Sequence, residues 1–100
     1  MDNAVNYADI LTKVIKKESA IQPRLKTLKI APVCDRESGN FLMIMTGWEK
    51  EEWINTILFH ARLFKGKIVI EDDNLEQGLT ASLIQAGIPA EDIIDGLSLE

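Results

Sequence analysis

The stretch ILFHARLFKGKIVIEDD, residues 57–73, decides the fold. It reads as two strands folded back on each other at Lys65-Gly66, a two-residue hairpin loop in which Gly66 can take positive φ. With those two residues as the loop, Phe64 faces Lys67, Leu63 faces Ile68, Arg62 faces Val69, Ala61 faces Ile70 and His60 faces Glu71. Side chains alternate across a strand, so one face receives Ile57, Phe59, Ala61, Leu63, Ile68 and Ile70, an apolar row that belongs under helices. The other face receives Ile54, Thr56, Leu58, His60 and Arg62, with Lys67, Val69 and Glu71 across from them. Ile54, Leu58 and Val69 mixed with His, Arg and Glu look like an interface rather than a solvated surface or a core. His60, the one histidine in the chain, is expected as the cross-strand partner of Glu71. A one-residue bulge at Gly66 would shift that register and remove the pairing.

Working outward, Trp53 to Phe64 is the third strand of a series and Lys67 to Glu71 the fourth. Upstream, Phe41 to Trp48 (FLMIMTGW) is apolar on both parities, which predicts a strand covered on both faces. The segment Arg24 to Cys34 alternates and then meets Pro32, which suits an edge position or a bulge. DRESGN and EKEE (Glu49 to Glu52) supply the turns between strands. A first helix is predicted over residues 4–21, with Tyr7, Leu11, Val14 and Ile15 on one stripe and Lys13, Lys16 and Lys17 off it; Pro23 stops it. A second helix is predicted from Asn74, as N-cap with Gln77 as capping-box partner, to Ala86, and Gly87 ends it. Pro89 then opens a short helix holding Glu91, Asp92, Ile93 and Ile94. The order is helix, four-stranded antiparallel meander, helix, short helix: a single α+β domain over residues 1–100, in two layers.

One hundred residues can bury one core, and 46% hydrophobic with 27% charged residues excludes disorder. No apolar run reaches the ~20 residues needed to cross a bilayer, and MDNAVNYADI lacks the basic and apolar regions of a signal peptide. The single Cys34 cannot form an internal disulfide, which points to a reducing cytoplasm. The net charge of −5 is uneven: residues 1–30 carry six basic and three acidic side chains, whereas residues 68–100 carry eight acids and no Lys or Arg. Such a chain is poorly suited to hold duplex DNA unaided, since phosphate neutralisation dominates that affinity. The acidic C-terminal third suits either a basic protein partner or plain solvation.

The sequence offers little for catalysis. His60, Glu71, Asp72 and Cys34 are the only candidate metal ligands, and they lack C-x-x-C or H-x-x-x-H spacing. Glu71-Asp72-Asp73 reads more simply as the close of the sheet before a helix N-terminus. Cys34 has no evident histidine partner, and Ser19, Ser38, Ser82 and Ser98 lie outside any nucleophile elbow. The glycines are isolated, so no phosphate loop exists. No enzyme, metal or cofactor is expected, an activity built around His60 and Glu71 being the remaining exception. Trp48 and Trp53 flank the 49–52 turn: packed against the helix they are core edge, the simpler reading, and exposed together they anchor a partner.

In order along the chain, DRE at 35–37, GW at 47–48, His60, GKI at 66–68 and AGIPAEDII at 86–94 resemble the XisI family, the fdxN-element excision controlling factor proteins typical of cyanobacteria. The resemblance runs from Tyr7 to Asp95. It implies the family's XisI-like fold and an accessory role in excision of a DNA element during heterocyst differentiation. It also implies a XisH-like, endonuclease-related partner rather than recombinase activity. Two departures stand out: Val69 occupies the place of a tryptophan usual in the family, and GLSLE stands where relatives continue into a longer tail. The expectation is a non-enzymatic, homodimeric, cytoplasmic partner of a XisH-like protein, with Trp48, Trp53, Ile54, Leu58, His60, Arg62, Val69 and Glu71 as its partner or dimer surface. The alternative is a stand-alone nucleic-acid-binding regulator using Lys13, Lys16, Lys17, Arg24, Lys26 and Lys29.

Overall fold

The first helix, α1 (Asn3–Ser19), forms where the apolar spacing places it, and Lys16 and Lys17 sit in its last turn, where the helix dipole favours cations. In the computed structural model, which describes the backbone of residues 3–96 and the side chains of residues 7–96, Tyr7, Leu11 and Ile15 are buried and Lys13, Lys16 and Lys17 exposed. Ser98 and Glu100 lie outside the described residues. Four consecutive antiparallel strands follow: β1 (Leu28–Asp35), β2 (Asn40–Glu49), β3 (Glu52–Phe64) and β4 (Lys67–Asp73). The Lys65-Gly66 loop forms as expected, with φ of 51° and 77°, the double positive φ of a type I′ turn.

The C-terminal third departs from expectation twice. The second helix, α2 (Thr80–Gln85), is far shorter than residues 74–86 and begins after Leu79, so Asn74 is not its N-cap. Instead the Asn74 amide extends the sheet: its backbone N–H donates to the Leu58 carbonyl at 2.8 Å and its side-chain Nδ2 to the Ile57 carbonyl at 3.0 Å. The Asp73 carboxylate then accepts from the backbone N–H groups of Leu75 (3.2 Å) and Leu79 (3.1 Å), and Gly78 takes φ 72°. These interactions satisfy amides that would otherwise enter a helix, and a left-handed glycine cannot continue one.

The second departure is a fifth strand. Only Ala90–Asp92 is helical, as a 3₁₀ turn, and β5 (Ile93–Asp95) pairs parallel with β4, Ile93 beside Ile68 and Ile94 beside Val69. The sheet is therefore mixed and five-stranded, ordered β1-β2-β3-β4-β5, within the expected α+β class. A parallel pairing needs a crossover, which α2 and its flanking loops supply. Two consecutive β-branched residues held beside an open strand edge favour ladder bonds over a helical turn.

Helices and sheet enclose a core in which Leu11, Phe41, Phe59, Ile68, Leu79 and Leu83 have no solvent exposure. Burying each such side chain contributes about 1.5–3 kcal/mol. At the sheet's outer edge, the Gln22 side chain accepts from the Ile30 N–H at 3.2 Å and donates to its carbonyl, and the next outward-facing residue, Pro32, has no N–H. The β1 edge is thus closed to a further strand along its middle.

Candidate interaction surface

The register of β3 positions the surface, and two irregularities reset it. Against β2, Met43 pairs with Phe59 but Ile44 pairs with Ile57, leaving Leu58 as an extra residue. Against β4, Ala61 pairs with Ile70 but His60 pairs with Asp72, leaving Glu71 as an extra residue. Each is a β-bulge, which shifts alternation by one for everything beyond it. The Lys65-Gly66 loop itself carries no bulge, and the four pairs nearest it stand as expected.

Two corrections follow. His60 does not face Glu71: it faces Asp72, and its Nε2 lies 2.8 Å from Asn40 Oδ1 on β2. Glu71 is instead taken by Arg62, whose Nε donates to it at 2.6 Å. On the far side of the bulge against β2 the faces exchange. Leu58, expected on the second face, packs against the helix-side core. Ile54 stands opposite Gly47, in the row of Leu28 and Met45, and Ile57, expected beneath the helices, pairs with Ile44 on the outward row.

The outward row of β3 is therefore Trp53, Asn55, Ile57, His60, Arg62 and Phe64. Leu42, Ile44 and Trp48 lie beside it on β2, Val33 on β1 and Val69 on β4. Of the eight residues expected at an interface, Trp48, Trp53, His60, Arg62 and Val69 share this face, with Glu71 joined to it through Arg62. The expectation that both faces of β2 are covered holds only on the helix side: Phe41 and Met43 are buried, whereas Leu42 and Ile44 are partly open. Trp48 and Trp53 are 52% and 55% exposed and meet edge to face with ring centroids 5.4 Å apart, so they are not core edge. Val69 is fully buried yet lies outside the helix-side cluster.

Gly47 explains the tryptophan placement. It has φ 140°, and a Cβ there would lie 2.0 Å from the Thr27 carbonyl oxygen. The Thr27 chain crosses directly over Gly47, and Thr27 Oγ1 donates to the Trp48 carbonyl while the Trp48 N–H donates to the Thr27 carbonyl at 3.3 Å. Only glycine permits this approach, and the clamp holds Trp48 facing outward.

Charged side chains cluster at the two ends of β3. Glu49, Glu51 and Glu52 surround the β2–β3 tip, with Lys50 among them at φ 58°. At the opposite end, Arg62 and Lys65 approach the Phe64 ring at 5.3 and 5.2 Å from its centroid. A separate acidic area, with Glu71, Asp72, Glu76, Glu91 and Asp95 exposed, lies along the end of β4 and the C-terminal segment.

One polar cluster was not foreseen. The Tyr7 hydroxyl donates to Asp92, and Lys67 Nζ donates to the same carboxylate at 2.6 Å, tying α1, β4 and the 3₁₀ turn together. The Lys67 and Tyr7 hydrogen bonds hold the Asp92 carboxyl below its ordinary value, while Asp92 raises both Lys67 and Tyr7. The sequence signal was present in the inward stripe of α1, whose Tyr7 hydroxyl needs a partner once its ring is buried. Among the described residues, no group of three or more His, Cys, Asp or Glu side chains is placed to hold a metal ion, and no helix is long and apolar enough to cross a membrane. A groove of about 570 Å³ over Thr12, Lys16, Cys34 and Arg36 is remote in sequence and face from His60.

Comparison with known proteins supports a single relationship. The family model described as XisI protein matches residues 1–100. A XisI-like protein from Anabaena variabilis ATCC 29413 superposes with a TM-score of 0.86 at 21% identity, covering 94% of this chain and 86% of that one. The fdxN element excision controlling factor XisI from the same organism superposes with a TM-score of 0.78 at 26% identity, covering 96% and 87%. Among curated protein sequences nothing matches.

Proposed function

The chain belongs to the XisI family, and from that premise we propose that it is a cytoplasmic, non-enzymatic controlling factor. In this reading it acts in excision of the fdxN element during heterocyst differentiation by binding a XisH-like, endonuclease-related partner. The whole-chain family match carries the reading, and the similar Anabaena variabilis protein is itself an fdxN element excision controlling factor. Its physical support is the exposed acidic area around Glu71, Asp72, Glu76, Glu91 and Asp95, which suits a basic protein surface and would steer association electrostatically. Co-expression with the XisH-like protein is expected to yield a co-eluting complex that weakens with salt and on reversal of charge at Glu76 and Glu91. Repeated failure to co-elute at low salt refutes it.

A second reading is favoured by one observation: Lys13, Lys16, Lys17, Arg24, Lys26 and Lys29 are all exposed. It makes the protein a stand-alone nucleic-acid-binding regulator. Mobility shifts of DNA at low salt that disappear as salt rises would support it, and absence of any shift ends it.

A further inference from the structure

We draw no further inference here: the strongest candidate, the outward sheet face around the exposed Trp48–Trp53 pair, carries nothing because nothing in the structure shows what covers it.

Discussion

Replacing Gly47 by alanine puts a methyl group 2.0 Å from the Thr27 carbonyl oxygen and 2.9 Å from Leu28 Cα. An ordinary carbon–oxygen contact is about 3.5 Å, so the two chains must separate by roughly 1.5 Å, and both are backbone. The φ of 140° is also forbidden to an L side chain and costs about 1–3 kcal/mol. Separation breaks the two hydrogen bonds between Thr27 and Trp48, worth about 1 kcal/mol each. Together these give a loss of about 3–5 kcal/mol, which for a domain of this size lowers the melting temperature by at least ~12 °C. The assay is urea and thermal denaturation followed by circular dichroism. Tryptophan fluorescence reports separately on Trp48 and Trp53, whose edge-to-face contact depends on the clamp. Gly66→Ala is the internal control: Gly66 also has positive φ, 77°, but nothing lies within 4 Å of the place its new methyl group would take, so its cost is backbone alone, about 1–2 kcal/mol. If Gly47→Ala is no more destabilising than Gly66→Ala, the close-approach argument is wrong.

Two further outcomes follow from polar groups that join separate elements. Asp92 titrates below its ordinary value of 3.8 because Lys67 and Tyr7 donate to it, so its stabilisation is present above pH ~4 and lost as pH falls through the lowered value. Lys67 and Tyr7 are raised above 10.5 and 10.0, chiefly by Asp92, so their share is present below pH ~10 and lost as pH rises through the raised values. Asp92→Asn should lower stability at pH 7 and flatten both limbs of the stability–pH profile; unchanged limbs would refute the coupling. Asp73→Ala removes the acceptor for the Leu75 and Leu79 amides, and a loss of about 1–3 kcal/mol is expected in chemical denaturation, with faster amide exchange at both positions. Unaltered exchange at Leu79 would show that the loop is organised by other contacts.

The hairpin in residues 57–73 shows how far local pattern reaches. Near the Lys65-Gly66 loop every expected pair forms, because a two-residue turn with positive φ leaves the chain one way to close. Beyond Ala61 the pairing slips, because Glu71 bulges out of the ladder and is held by Arg62, and Asn40 from a different strand takes His60. Neither event has a local signature: both depend on which side chains of neighbouring strands arrive beside them. The same holds for Ile57 and Leu58, whose apolar character suits either face. The choice between them was made by the bulge against β2.

Sequence alone determined the α+β class, the α1 stripe, the four antiparallel strands, the two-residue turn, and the family resemblance carried by the ordered motifs. All of these rest on periodicity, turn chemistry and residue identity, which act over a few neighbours. Tertiary structure alone decided the fifth strand, the shortened α2, the exposure of Trp48 and Trp53, and the convergence of Tyr7, Lys67 and Asp92. In each case the local pattern left two options open, such as helix or strand and core edge or surface. Contacts between residues as distant as Tyr7 and Asp92 chose between them, and such long-range competition has no periodicity to read.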